Sequence, residues 1–194
     1  NNFDLSNTAI QLIPAGGGYL AISSNQTLVP PTSGGVGLTD DNLSPPLTLP
    51  FQFQHASGST NQIRVCSNGF IYLNGTGNWA SFTPTFADML AGGPRLFMLW
   101  TDLLPDGAAN VNNVFYTPDA ANNRVLITWR NLPEFGQGGT SNTFQTLLAA
   151  QYIVTATSTV QSGNTIIVSA QLADASGTPV ASSGKVISWS KTGP

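Results

Sequence analysis

Residues 63 to 79 read IRVCSNGFIYLNGTGNW, and this stretch decides the fold. Apolar and polar residues alternate from Ile63 to Cys66, which is typical of a β-strand with one buried face. Asn68 and Gly69 supply the positive-φ positions that a tight two-residue turn requires. Because the run from Phe70 to Leu73 is again apolar and aromatic, the stretch is predicted to be an antiparallel hairpin.

The same pattern of short β-branched or aromatic runs, separated by Gly, Asn, Asp and Ser, continues along the chain. Regular spacing of such turn signals predicts an all-β fold, an antiparallel β-sandwich. A single segment, Pro84 to Leu90, could form one or two helical turns. The predicted strands are 19–23, 47–54, 62–66, 70–73, 95–101, 112–117, 124–129, 142–149, 153–157, 165–172 and 185–190.

Large apolar residues within these runs are expected to form the core. In the run from Leu47 to Gln54 the period is two, so that the leucines and phenylalanines share one face. The residues predicted to be largely buried are Phe51, Phe53, Val65, Phe70, Leu99, Trp100, Ile127, Trp129 and Phe144.

The charge content excludes several classes of partner. Charged residues make up 8% of the chain, against about 25% in an ordinary soluble domain. Six Lys and Arg against nine Asp and Glu leave a net charge of −3, so no basic stripe exists for nucleic acid or an anionic membrane. No apolar run approaches the length of a membrane span, and membrane insertion is not expected. A neutral surface rich in Asn, Thr and Gly is common in exported bacterial proteins and virion fibres, and it predicts an extracellular, cell-surface or virion-surface location.

The single cysteine and the single histidine were considered as catalytic groups. Cys66 cannot form an internal disulfide, and a reactive thiol would need a nearby base, cation or helix N-terminus. His55 ends another strand, and no local signature connects it with Cys66. We therefore interpret Cys66 as a buried structural residue and His55 as a strand-end residue bonded to backbone, with nucleophile, general base or metal ligand as the alternatives.

Acidic and aromatic residues offer weaker candidate sites. Asp102 and Asp106, in LWTDLLPDG, lie where a strand ends and are interpreted as turn residues, with a calcium site as the alternative. Trp79 follows a loop and could be exposed for contact with a sugar. Trp79, Asp102 and Asp106 are therefore the candidate ligand-binding residues; no catalytic residue, metal site or cofactor is predicted.

A succession of motifs from about residue 45 to 150 resembles the nidogen-like domains of extracellular proteins. The motifs are LTLPFQFQHASGSTNQIRVCSNGFIYLNG, then RLFMLWTDLLPDG, NVFYTPDAANNRVLITWRNLPEFG and SNTFQTLLA. The resemblance implies a non-catalytic module of matrix and surface proteins. The long Pro- and Gly-rich segment at 14 to 46 departs from that pattern.

The end of the chain is similar to the first half of a bacterial Ig-like repeat of the invasin type. In STVQSGNTIIVSAQLADASGTPVASSGKVISWSKTGP, Asp174, Gly177, Pro179 and Val180 match the turn of that repeat. Ile187, Trp189 and Ser190 match its next strand. The resemblance implies a partial Ig-like segment over 151–194, following a nidogen-like β-sandwich over 1–150.

A half-sandwich cannot bury its own apolar face, so the C-terminal strands are expected to need a partner. The first residues also lack an initiator Met and a signal peptide, which suggests a processed or excerpted chain. Further chain or a neighbouring subunit would complete the segment by strand addition. The residues assigned to this assembly role are Ile166, Ile167, Val168, Val186, Ile187 and Trp189.

Three functional classes remain open from the sequence. A structural or interaction module of a surface appendage, adhesin or virion fibre agrees with the β-only pattern, the neutral surface and both resemblances. Its partners would be other protein subunits or adjacent domains, in a homo-oligomer or a multi-domain array. A glycan-binding module is the alternative and depends on Trp79, while a hydrolase has no supporting motif, so the protein is not expected to be an enzyme.

Overall fold

The computed structural model of the protein describes residues 7–15, 18–105, 113–137, 139, 141–150, 152–159 and 167–174. These residues are nearly all β, in antiparallel sheets, as the sequence predicts. They include one short helix, α1 (Phe86–Leu90), and a 3-10 turn at Ala120–Asn122. The strands are β1 Ala9–Ala15, β2 Gly18–Ser24, β3 Leu47–His55, β4 Gly58–Val65, β5 Phe70–Tyr72, β6 Arg95–Phe97, β7 Val114–Asp119, β8 Arg124–Leu132, β9 Asn142–Ala149, β10 Tyr152–Thr159 and β11 Ile167–Asp174.

The chain divides into two compact units, Asn1–Ala149 and Ala150–Pro194. In the first unit, β3-β4-β5-β6 form a four-stranded sheet, β7-β8-β9 form a three-stranded sheet, and β1 and β2 form a separate hairpin. In the second unit, β10 pairs antiparallel with β11, so that Ser158 lies opposite Val168 and Thr159 opposite Ile167. Of the strands described, β1 was not predicted from the sequence.

The two larger sheets form a sandwich, because β3 contacts β7, β8 and β9 and side chains from both sheets share one core. Burial of these apolar side chains is the main favourable term for the fold. The core includes Leu49, Ile63, Val65 and Ile71 from the first sheet and Val114, Val125, Ile127, Trp129 and Leu148 from the second.

The predicted core is mostly correct. Val65, Phe70, Ile127 and Trp129 are fully buried, and Phe51, Phe53, Trp100 and Phe144 are partly buried against the core clusters. Leu99 was predicted wrongly, since 37% of it is exposed. β6 ends at Phe97, so the alternation of a strand no longer applies at Leu99.

The central hairpin is confirmed, but its turn is longer than predicted. Arg64 pairs with Tyr72 and Val65 with Ile71, and Cys66 N–H donates to the Phe70 carbonyl at 2.9 Å. Ser67, Asn68 and Gly69 therefore form a three-residue loop. Only Gly69 of these has a positive φ, +81°. A turn followed by one left-handed glycine is the common form of a three-residue hairpin loop.

The segment before β3 is hydrogen-bonded to both sheets. Val36 N–H donates to the Val114 carbonyl in β7 at 2.8 Å, and Ser44 N–H donates to the Val65 carbonyl in β4 at 2.8 Å. Between these contacts Leu38 is buried, and its N–H and carbonyl are bonded by the side chain of Asn113. This Pro- and Gly-rich segment is therefore an ordered strap across the sandwich.

Candidate functional site

Two polar features of the first unit are built on the β4–β5 hairpin. One is a cluster of carboxylates beside the hairpin loop, and the other is a cleft at the far end of β5. The hairpin and its loop position both features.

Gly69 is required by close packing as well as by its backbone angle. A Cβ atom at this position would lie 2.0 Å from the carbonyl oxygen of Leu99. The Gly69 carbonyl accepts hydrogen bonds from the N–H groups of Met98 at 3.1 Å and Leu99 at 3.3 Å. The hairpin loop is thereby held against the chain that follows β6.

Asn68 is fully buried and joins three separate segments. Its Nδ2 donates to Asp41 Oδ1 at 2.7 Å and to the Ala80 carbonyl at 3.2 Å. Its Oδ1 accepts from Leu103 N–H at 2.9 Å. Since a buried amide needs these partners, the Ser-Asn-Gly motif has a structural explanation.

The carboxylates of Asp40, Asp41 and Asp102 come together beside Asn68. One carboxylate oxygen of each lies within 4.8 Å of the others. Burial raises the pKa of Asp102, and the charges of Asp41 and Asp40 raise it further. Burial and the charge of Asp41 likewise raise the pKa of Asp40. Three carboxylates at this spacing could share a hard cation, which takes oxygen ligands, and otherwise repel each other.

Of this cluster, Asp102 was a candidate from the sequence, whereas Asp40 and Asp41 were not. The predicted companion, Asp106, lies outside the described residues. The pair Asp40-Asp41 could have been considered from sequence only if the strap were known to reach the hairpin loop. That contact is tertiary, so local patterns do not predict it.

A cleft of about 440 Å³ opens beside β5, the loop that follows it and the α1–β6 connection. Its walls combine aromatic rings, side-chain amides, a hydroxyl, glycines, one cation and one carboxylate. The lining residues are Tyr72, Asn74, Thr76, Gly77, Asn78, Trp79, Asp88, Ala91, Gly92, Gly93 and Arg95.

The loop that forms one wall of the cleft is held by Asn74. Its Oδ1 accepts from Thr76 N–H at 3.1 Å and from Gly77 N–H at 3.0 Å. Gly77 packs directly on Tyr72, because a Cβ atom there would lie 2.2 Å from the ring. The opposite wall begins at α1, where Thr85 Oγ1 accepts from Asp88 N–H at 3.0 Å as an N-cap.

Trp79 is half-buried and is a wall of this cleft. Its ring lies 5.6 Å from Trp100 and 6.1 Å from Phe70, within a small aromatic cluster. The Trp79 carbonyl accepts from the Tyr72 hydroxyl at 3.1 Å. Trp79 is therefore anchored by packing while one part of it borders the cleft.

Arg95 was not singled out from the sequence, yet it contributes the cation of the cleft. Its guanidinium carbon lies 5.1 Å from the ring centre of Trp79, 5.1 Å from that of Phe97 and 5.6 Å from that of Tyr72. Nη2 donates to the carbonyls of Asp88 and Ala91. The sequence signal that could have identified Arg95 is an isolated arginine after Gly-Gly-Pro, in a chain with few cations.

Cys66 is completely buried, as predicted, and burial raises the pKa of its thiol to about 12. His55 is the last residue of β3, and its Nδ1 accepts from Ser57 N–H at 3.3 Å, which matches the predicted strand-end role. Burial lowers the pKa of His55. A neutral buried thiol is a poor nucleophile, and the histidine is engaged by backbone.

Of the six predicted assembly residues, two fall on a described strand. Ile167 and Val168 begin β11, where they pair with Thr159 and Ser158. Ile166, Val186, Ile187 and Trp189 lie outside the described residues.

Comparison with protein families gives one match. A family model described as NIDO related matches residues 14–191. Searches of curated proteins and of solved structures found no significant match. Among the residues that the structure describes, no helix is long and apolar enough to cross a membrane.

Proposed function

The chain belongs to the NIDO-related family, and from that premise we propose that it is a non-catalytic structural or interaction module of an extracellular surface appendage, adhesin or virion fibre. The observation that carries the proposal is the family match, which spans residues 14–191 of a nearly all-β chain. It agrees with the nidogen-like order of motifs and with the scarcity of charge. Other protein subunits or adjacent domains are the proposed partners.

The hairpin of β1 and β2 supports a role in protein contacts. Ile10 and Leu12 are 57% and 52% exposed, and Leu20 on the other strand is 54% exposed. The side chains of Leu12 and Leu20 fall on opposite faces, because Leu12 pairs with Ala21 and Leu20 with Ile13. An isolated two-stranded hairpin with apolar residues on both faces is marginal in water and gains stability when it is covered.

The C-terminal unit contributes a second proposed contact. β11 pairs with β10 on one edge, and the sequence from Thr165 to Leu172 carries no charged residue. Natural edge strands are commonly protected by Lys or Pro. We propose that 165–190, including the Ig-like positions Ile187 and Trp189, is completed by further chain or by a neighbouring subunit through strand addition.

The proposal that the protein is not an enzyme is supported by the environment of its reactive groups. The Cys66 thiol is buried with a raised pKa, and His55 accepts a backbone hydrogen bond. Neither arrangement resembles a nucleophile activated by a base. Replacement of His55 or Asp102 by Ala should therefore leave assembly unchanged unless folding fails.

Sedimentation equilibrium of the 194-residue chain tests the assembly role. We expect concentration-dependent association. Replacing both Leu12 and Leu20 by Ser should weaken it at least about 10-fold, since each replacement removes apolar area that the contact would bury. Leu28→Ser is the matched control, because Leu28 is 56% exposed but lies outside the hairpin. A monomer at all concentrations, with residues 165–174 strongly protected from amide exchange, would contradict the proposal.

A second candidate function, glycan binding at a surface module, is favoured by one observation. Trp79 borders an open cleft that also presents the amide groups of Asn74 and Asn78. Aromatic rings and amides together can contact the apolar faces and hydroxyl groups of a sugar.

A further inference from the structure

The cleft and the wall behind it contain two cations and one carboxylate, in a chain whose net charge is −3. Arg95 lines it, and Arg64 lies behind its wall, because Arg64 Nη1 donates to the carbonyl of Gly77. Asp88 is the acidic residue among the lining groups, and its Oδ2 already accepts from Thr85 Oγ1 at 2.6 Å. Two guanidinium groups and one engaged carboxylate favour an anionic ligand.

Arg95 is positioned but not neutralised. The described residues contain an ion pair between Arg124 and Asp119, and they show no ion pair for Arg95. Its Nη2 is bonded to carbonyls, and its buried Nε has no hydrogen-bond partner in the same part of the chain. Three aromatic rings hold the guanidinium plane, which lowers the entropy lost when a carboxylate binds.

The other walls of the cleft indicate what carries that carboxylate. The amide of Asn78 can donate and accept, whereas Asn74 offers its NH2 group, because its Oδ1 already accepts from Thr76 and Gly77 N–H. Thr76 adds a hydroxyl, and Trp79 adds an aromatic edge. A volume of about 440 Å³ falls within the range of small-ligand sites. Sugar rings present alternating hydroxyl groups and apolar C–H faces, which this mixture of walls matches.

We propose that the cleft binds an acidic saccharide, with the ligand carboxylate at Arg95 and the sugar ring against Trp79 and Asn78. The inference rests on the second candidate function and names its ligand class. It does not depend on the assembly role. Hydrogen bonds to a charged group are stronger than those between neutral groups, so the acidic sugar should be preferred over its neutral counterpart.

Isothermal titration of the whole chain with a galacturonic acid trimer and the corresponding galactose trimer tests the proposal. At low salt we expect the acidic trimer to bind at least about 10-fold more tightly. Arg95→Gln should remove this preference. Arg124→Gln, which changes the net charge equally but lies outside the cleft, should retain it. Asn78→Ala should weaken the binding of both trimers several-fold, since both would contact the Asn78 amide. Asn78 is exposed, so its replacement does not threaten the fold.

The outcomes separate the two levels of the proposal. Equal affinity for both trimers overturns the acidic-saccharide inference and leaves glycan binding standing, whereas no binding of either trimer overturns both. An aspartate tripeptide that binds as tightly as the acidic trimer would show that the cleft recognises carboxylate alone, and it would overturn the choice of a saccharide. If Arg95→Gln does not fold, two other measurements decide. The inference is overturned if neither Asn78→Ala nor added salt changes the affinity for the acidic trimer.

Discussion

The indole Nε1–H of Trp129 donates a 2.9 Å hydrogen bond to the carbonyl oxygen of Cys66. Trp129 belongs to β8 in one sheet, and Cys66 immediately precedes the hairpin loop in the other. Trp129 also stacks on Phe144, with ring centres 4.9 Å apart. One fully buried side chain therefore combines the packing of the sandwich with a polar connection between its sheets.

Trp129→Phe should separate these two contributions. The six-membered ring is kept, but the Cys66 carbonyl loses its indole donor and retains only the longer bond from Gly69 N–H at 3.3 Å. Since the lost pyrrole ring also leaves a small void, we expect a loss of about 1–3 kcal/mol in the free energy of unfolding. Trp129→Ala should cost about 3–5 kcal/mol because it also leaves a cavity. Denaturant unfolding measures both. Equal stability of wild type and Trp129→Phe would show that the hydrogen bond contributes nothing net.

Gly69→Ala should be far more damaging than the same change at another left-handed glycine. At Gly136 the φ is +69° and no atom lies within 4 Å of an added Cβ, so the cost should be about 1–2 kcal/mol. At Gly69 the Leu99 carbonyl must also move, because it would lie 2.0 Å away. Thermal unfolding of both variants makes the comparison. Similar losses would mean that backbone angle alone explains Gly69.

The Cys66 thiol should resist alkylation in the native protein. Since burial raises its pKa to about 12, the thiol stays protonated from pH 7 to 9 and is shielded from reagent. We expect labelling only at the rate of unfolding, with mass spectrometry as the measurement and denatured protein as the control. Complete labelling within minutes at neutral pH would contradict the buried assignment.

Local sequence patterns predicted most of the sandwich because short apolar or β-branched runs bounded by turn residues mark its strands. β9 has the predicted bounds, 142–149, and β8 begins at the predicted Arg124 but extends to Leu132. The extension includes a bulge at Asn131, where φ is +55°. The neighbouring sequence did not predict this bulge. The pairing of β3 with β4 shifts between Thr48 and Phe53, around Pro50, which cannot donate to the ladder.

The candidate sites were less predictable because they depend on contacts between distant segments. Trp79 was a candidate from the sequence and borders the cleft, but Arg95 follows it by 16 positions and reaches it through the β5–β6 pairing. Asp41 meets the hairpin loop because the strap is hydrogen-bonded to that loop, through Asn68 to Asp41 and through Ser67 to Asn42. Sequence spacing indicates neither contact.

Asp102→Asn should stabilise the protein at neutral pH. Burial and the charges of Asp41 and Asp40 raise the pKa of Asp102 from the ordinary value of 3.8, so the folded state holds more protons than the unfolded state above that pH. Stability therefore falls as pH rises from 3.8 through the folded pKa. Removing the charge should raise the melting temperature by about 1–3 °C at pH 7.

The gain from Asp102→Asn should shrink as the pH falls toward 3.8. The wild-type carboxyl becomes protonated first in the folded protein and then in the unfolded chain, so the variant no longer removes a charge. Asp119→Asn is the control of opposite sign. Hydrogen bonds from Asn122 and Arg124 lower the pKa of Asp119, so its contribution is present above 3.8 and is lost as pH falls through the folded pKa. Its replacement should bring no stabilisation at pH 7. Melting curves from pH 4 to 8 that show the same gain for Asp102→Asn at every pH would contradict the charge of the Asp102 carboxylate, partly buried beside Asp41 and Asp40, as its cause.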